Sequence, residues 1–406
     1  MPTTLLTLLG KGRDNPQTGY RDATYDFPDG QARKTPYFGL ALADYLGPEH
    51  VVILGTAGSM WGALLEHHTA QDADEHLRLE LMEAEAEGRV TQTLLDQVAP
   101  LFRAALGHQI NPRLVPAGSS PEEQIEILST IAEQLGKQQH SIHFDLTHGF
   151  RHLGMIGFLS AFMIERLRQQ IQVEGLWYGA LDMTRNGITP VLRLDGLNAV
   201  QQWVSALDKF DVSGDYGVFT PLLQADGLPE GAAQCLIKAA HFERISNISN
   251  AASQLRTVIQ ALKEPLGGAS SLFQETLHKR LSWASKDNLA EQQRLLAQRA
   301  LDRGDALRAA ILGLEALITH LCLEQNYDPL NYQDRENIGA EFQGQIRAGE
   351  HPQWLKKAYW TLNDLRNSMA HGTRPKHPDN QKLMQNPERL ISGLQSILST
   401  LTNHMR

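Results

Sequence analysis

The sequence predicts two folds in one chain, an α/β domain followed by an all-α domain. Three observations carry that reading. Short strand-like runs alternate with helical patterns through the first half, those runs stop after about Gly196, and from residue 232 onward long helical stretches are parted by loops rich in Gly, Pro and Asn. Strand-helix alternation is the pattern of a parallel sheet covered by helices on both faces. A length of 406 residues suits two or three domains at roughly 150 residues each.

The strand-like runs are residues 5–9, 51–54, 113–115, 141–144, 173–178 and 191–194, each bounded by Gly, Pro or Asp. Between them, residues 122–135 place apolar side chains at 125, 128, 131, 132 and 135, a helical spacing. Ser120-Pro121-Glu122-Glu123 opens that helix with a capping hydroxyl, a proline at the first position and acid in the first turn. Around residues 20–35, Asp29-Gly30 between Thr, Tyr and Phe predicts a hairpin added to the α/β plan. Residues 66–87 hold eight acidic residues against Arg78 alone, the pattern of a solvated helical face. Gly, Asp and Pro cluster between residues 211 and 229 and mark the domain boundary. The expected division is 1–210, 211–290 as a helical connector or part of the last domain, and 291–406.

Composition narrows the function. Hydrophobic residues at 42% and charged residues at 20% are ordinary globular usage. No basic leader opens the chain and no apolar stretch approaches the roughly 18 residues of a membrane span, so a cytoplasmic protein is expected. Cys235 and Cys322 are too few for a disulfide framework or a cysteine zinc site, and are expected as small buried apolar groups. A net charge of −9 argues against a duplex-DNA coat. Residues 340–406, however, hold nine Lys or Arg against five Asp or Glu, leaving −13 for residues 1–339. A polyanionic substrate is therefore sought in the last segment.

In an open parallel sheet the ligand crevice lies at the carboxyl ends of the strands. Gly10-Lys11-Gly12-Arg13 follows the first run, and Gly55-Thr56-Ala57-Gly58-Ser59 follows the second. Glycines let backbone N–H groups approach an anion, although tight turns without a ligand have the same composition. Asp145-Leu146-Thr147-His148-Gly149-Phe150-Arg151 follows residues 141–144 and concentrates an acid, a hydroxyl, an imidazole and a guanidinium at one strand-to-helix corner. A metal reading competes there, because His140, His143, Asp145, His148 and His152 crowd together.

The segment from Asp145 to Arg151 resembles the Asp-x-Thr-His-Gly motif of CRISPR-associated proteins. Leu9-Gly-Lys-Gly12, Tyr20 to Tyr25, Thr35-Pro-Tyr-Phe38 and Leu54 to Trp61 are similar to the sensor domain of the same family. The resemblance implies a Rossmann-like CARF domain that dimerises and binds a cyclic oligoadenylate made by type III CRISPR complexes. Cyclic tetra-adenylate is the expected ring. The ligand would be held by Gly10, Lys11, Gly12, Gly55, Thr56, Gly58, Ser59, Asp145, Thr147, His148, Gly149, Arg151 and Tyr178.

In the helical half, Arg366-Asn367-Ser-Met-Ala-His371-Gly372 ends a stretch in which Leu355, Ala358, Tyr359, Leu362, Leu365 and Met369 follow helical spacing and predict a buried stripe. At about 100° per residue, Asn367 and His371 share the neighbouring face, with Arg366 flanking it. Gly372 stops the helix, leaving His371 at an exposed end. Arg103 and His108 repeat the Arg-to-His spacing in an acidic context, so spacing alone decides nothing. The motif resembles the active site of HEPN ribonucleases, and the helix 305–323 with Glu315 is similar to another HEPN core helix.

The expectation is thus α/β plus all-α: an N-terminal Rossmann-like CARF domain and a C-terminal helical HEPN domain, forming an endoribonuclease that needs no metal. Arg366, Asn367 and His371 would cleave single-stranded RNA by 2′-OH attack, in a homodimer or higher even oligomer, with no membrane or duplex-DNA partner. A non-enzymatic nucleotide sensor that recruits a partner, and a metal-dependent hydrolase at His143, Asp145, His148 and His152, stand as alternatives.

Overall fold

The computed structural model describes residues 2–11, 21–68, 74–135, 140–168 and 170–405. They fall into two compact units, 1–198 and 199–406. The division lies inside the helix Asp195–Ser213, earlier than the expected 210/211, because that helix buries Trp203, Ala206 and Phe210 in the core of the second unit.

The first unit is built on an eight-stranded sheet: β1 Thr3–Leu9, β2 Ala23–Asp26, β3 Ala32–Thr35, β4 His50–Gly55, β5 Gln109–Leu114, β6 His140–Asp145, β7 Ile171–Gly179 and β8 Ile188–Arg193. Their order is β3-β2-β8-β7-β6-β1-β4-β5, and the run from β7 to β5 is parallel. Side chains along β1 and β4 are apolar on both faces, as a strand covered twice requires. Leu5, Leu9, Val51 and Ile53 enter one core, and Leu6, Leu8, Val52 and Leu54 enter the other.

The sheet is mixed where a parallel one was expected. Between Gly179 and Ile188 the chain makes only the 3₁₀ turn Leu181–Met183, too little for a crossover, so β8 returns antiparallel to β7. The hairpin β2–β3 then joins the edge of β8, and Gly30 turns it with a φ of 74°. The helix Pro121–Glu133 forms as its cap predicts, the Glu123 N–H donating to Ser120 Oγ.

β1 lies between β6 and β4. The chain passes from β4 and β5 on one side of β1 to β6 on the other, so a switch point opens at the carboxyl ends of these three strands.

The second unit is all-helical around one core, to which residues of the segment 211–290 contribute with those of 291–406, for example Leu236, Leu255 and Trp283 with Leu317, Leu362 and Leu394. The apolar helix Ala306–Glu324 has, with a mean hydropathy of 1.6, the length and composition of a membrane span, contrary to the sequence expectation. More than half of it is buried inside this unit, as suits a core helix. Cys322 is buried and Cys235 half-buried.

Candidate functional site

At the switch point lies a cavity of about 620 Å³ lined by Gly10 and Lys11 after β1, Thr56, Gly58 and Ser59 after β4, and Gly149, Phe150 and Arg151 after β6. The turn after β4 is pinned from inside. Ser59 Oγ donates to the Leu9 carbonyl at 2.8 Å and accepts from the Thr56 N–H at 2.8 Å, and Trp61 Nε1 donates to the Thr56 carbonyl. Gly55 is a packing glycine, since a Cβ there would meet the Trp61 ring at 2.5 Å. At the other corner Gly149 holds a φ of 91°, which only glycine adopts cheaply.

The acid, hydroxyl and imidazole of the Asp145–Arg151 corner face inward. The β1–β6 register sets Thr7 beside Asp145, and the Thr7 hydroxyl donates to its carboxylate at 2.6 Å while the Thr147 N–H donates at 2.8 Å. Burial raises the Asp145 pKa to about 6 against the pull of these bonds. Thr147 Oγ1 accepts from the Gly179 N–H. His148 Nε2 accepts from the Phe38 N–H at 3.2 Å, so this imidazole is neutral, and burial lowers its pKa to about 4. The corner thus ties β1, β6, β7 and the helix Phe38–Leu46 together and leaves Gly149, Phe150 and Arg151 at the cavity.

Two helix starts flank the cavity, and they differ. The helix Trp61–His68 has its Gly62 N–H donating to the Glu85 carboxylate at 2.6 Å. Glu85 therefore departs from the solvated face expected of residues 66–87, and burial raises its pKa. The helix Arg151–Leu167 begins with no side-chain cap; the Leu153 N–H is taken by the Phe150 carbonyl, which leaves the Arg151 and His152 N–H groups available to an anion.

In the second unit the helix Gln353–His371 buries Leu355, Ala358, Tyr359, Leu362, Leu365 and Ser368, with Met369 half-buried. Gly372 ends it in a left-handed conformation, φ 64°, and its N–H donates to the Ser368 carbonyl. Arg366 is half-buried and lines a cavity of about 580 Å³ with Glu315, Arg335, Tyr332, Gln343, Tyr359 and Asn363 among others. Glu315 and Arg335 form an ion pair, and Arg335 also donates to Thr319 Oγ1 at 2.9 Å. Asn367 and the exposed His371 do not line this cavity. Five residues of helix separate Arg366 from His371 by about 140°, so one chain does not converge the three on a point. Asp364 fixes the following loop by accepting from the N–H groups of Lys376 and His377 and from Asn380 Nδ2. Burial pushes its pKa up, but these bonds outweigh it and hold the carboxyl below its usual value.

Residues 4–181 match the family described as the CARF domain of the CRISPR system endoribonuclease Csx1. Over residues 4–181 the first unit is thus similar to a CARF domain of CRISPR-associated proteins. Over 430 aligned residues the chain is 22% identical to the CRISPR-associated protein MJ1674 of Methanocaldococcus jannaschii, covering 98% of this chain and 66% of that relative's length. A structure of Enterococcus italicus Csm6 bound to cyclic hexa-2′-fluoro-hexa-dAMP spans 100% of this chain and 95% of its own, at 11% identity and a TM-score of 0.40, a distant likeness.

Of the residues expected to hold a ligand in the first unit, Gly10, Lys11, Thr56, Gly58, Ser59, Gly149 and Arg151 meet at the cavity. Gly55, Asp145, Thr147, His148 and Tyr178 do not line it, and Gly12 lies outside the described residues. Tyr178 is carried by β7, whose neighbour on that side is the antiparallel β8. Sequence reasoning passed over Phe150, an exposed aromatic at the cavity. Its signal was an apolar ring placed between the glycine turn and the first helical arginine.

The crowded histidines disperse. His140 bonds to Thr4 Oγ1, His143 accepts from Trp177 Nε1, His148 from Phe38 and His152 bonds to the Ala117 carbonyl. Among the described residues no three His, Cys, Asp or Glu side chains are grouped as metal ligands would be. The second Arg-to-His pair is structural: Arg103 Nε donates to the Ile110 carbonyl and His108 pairs with Asp44.

Proposed function

We propose that this protein senses a cyclic oligoadenylate through its CARF domain and, once activated, cuts single-stranded RNA in type III CRISPR antiviral defence in the cytoplasm. The observation that carries the sensing half is the switch-point cavity, where Lys11, Arg151 and an uncapped helix start gather beside the exposed ring of Phe150. Cations and free N–H groups suit the phosphates of a cyclic nucleotide, and the ring suits stacking on adenine. Cyclic tetra-adenylate is the proposed activator.

The effector half rests on the HEPN-like set Arg366, Asn367 and His371 at the end of a basic, helical segment. RNA carries its own nucleophile, so no metal is required by the chemistry. His371 takes the 2′-OH proton, the 2′-oxygen attacks phosphorus in line as the bond to the 5′-oxygen breaks, Arg366 stabilises the extra negative charge, and the 5′-oxygen leaves as a hydroxyl with a proton drawn from solvent water. The products are a 2′,3′-cyclic phosphate and a 5′-OH. Asn367 orients the imidazole.

The active species is proposed to be a homodimer. Arg366 and His371 diverge on one helix, and a two-fold axis supplies the complementary copy. In the CARF domain, Met155 and Leu159, 73% and 53% exposed, sit one helical turn apart and form an apolar stripe suited to a second copy. RNA cleavage in EDTA tests the reading: His371→Ala is expected to abolish it and His108→Ala to leave it near wild type. Exchange of those outcomes would move the active site elsewhere.

A further inference from the structure

The cavity beside Arg366 holds more than one phosphate-binding arginine needs. We propose that it is a nucleobase subsite, with Tyr332 as the stacking platform and Gln343 reading the base edge, so that it selects which RNA phosphodiester is cut. The inference rests on the ribonuclease reading above and deepens it.

Its volume of about 580 Å³ lies within the roughly 300–1,000 Å³ of small-molecule sites. The charge in it is balanced. Glu315 neutralises Arg335, which is further held by Thr319 Oγ1 and the Pro329 carbonyl. Glu336, also on the lining, repels phosphate. The cavity therefore favours a neutral base, and leaves the phosphate to Arg366 at its side.

Tyr332 begins the helix Tyr332–Ala348, whose Asn331 cap accepts from the Gln333 and Asp334 N–H groups. The tyrosine is 77% exposed yet lines the cavity, so its ring is not spent on the core. An exposed aromatic on a capped, fixed helix start is a ready platform for an unpaired base. Opposite in chemistry is Gln343, whose Nε2 donates to Tyr359 Oη at 3.0 Å. That bond orients the amide and leaves its carbonyl oxygen as an acceptor for a base with an exocyclic amine. Uracil has no such amine: its one ring donor on that edge, N3–H, sits between two carbonyls that repel the glutamine oxygen, so uracil is the base disfavoured here.

The test uses the full chain with cyclic tetra-adenylate in EDTA, a randomised single-stranded RNA pool with cut sites mapped by sequencing, and steady-state kinetics on one cleaved RNA. Wild type is expected to deplete uracil at one position next to the cut. Tyr332→Ala is expected to raise KM roughly ten-fold with kcat little changed, as loss of ground-state stacking does, while Tyr332→Phe stays near wild type. Gln343→Leu is expected to erase the uracil depletion. An unchanged KM in Tyr332→Ala, or uracil depletion that survives Gln343→Leu, would overturn the subsite while leaving the ribonuclease reading intact. Absence of any cleavage by wild type would overturn both.

Discussion

Asp145 and His148 make opposite demands on pH, and replacing the aspartate exposes the histidine. Burial lifts the Asp145 carboxyl from 3.8 to about 6. Between those values the folded chain holds a proton that the unfolded chain has released, so stability falls as pH rises, and the full penalty is present above pH 6. At about 1.4 kcal/mol per pH unit it amounts to about 3 kcal/mol. Burial lowers His148 from 6.5 to about 4. Here the unfolded chain holds the extra proton, so stability is lost as pH falls from 6.5 to 4, again by about 3 kcal/mol. Across pH 4 to 6 the two slopes cancel. In Asp145→Asn the amide oxygen keeps the Thr147 N–H, and the amide nitrogen donates to Thr7 Oγ1, which reverses from donor to acceptor. The difference in unfolding free energy, variant minus wild type, should then rise by about 1.4 kcal/mol per pH unit from pH 4 to 6 and level off above. Hydrogen exchange of the β1 amides in urea reads the first unit by itself. A difference independent of pH would refute a carboxyl raised by burial.

Lys11→Ala and Arg151→Ala should each weaken activator binding roughly ten- to hundred-fold, the worth of a hydrogen bond to a charged group, while Asp145→Asn binds like wild type because its carboxylate faces Thr7 and Thr147. Titration of labelled cyclic tetra-adenylate separates the three. Gly149→Ala should cost the first unit about 1–2 kcal/mol through its positive φ, read by the same exchange experiment. Mixing wild type with excess His371→Ala protein, after verified subunit exchange, should depress cleavage below the wild-type contribution, and strictly proportional activity would exclude a shared site.

Hydrophobic patterning made the central strands of the first unit legible, because the apolar runs of β1 and β4 had to be buried on both faces. The antiparallel return of β8 was not legible, since it follows from the length of the Gly179-to-Ile188 connection and not from the composition of the strand. The Asp145–Arg151 corner was found by its density of polar groups, but density does not give direction. The pleat and register of β1 against β6 turn Asp145 toward Thr7, and burial of His148 turns it to the Phe38 N–H. What remained at the cavity was the glycine turn and the two flexible cations, together with a phenylalanine that a search for polar chemistry overlooks. Glu85 shows the same limit. An acidic run looks solvated in sequence, yet one of its members closes a helix start that glycine composition had offered to a ligand.

RNA cleavage in EDTA as a function of cyclic tetra-adenylate concentration, compared between wild type, Arg151→Ala and His371→Ala, joins the two halves of the molecule in one measurement. The account predicts little cleavage without activator, a common plateau for wild type and Arg151→Ala with the variant's curve displaced to higher concentration, and silence of His371→Ala throughout. Wild-type cleavage at the same rate with and without the activator, or full activity of His371→Ala, would contradict it.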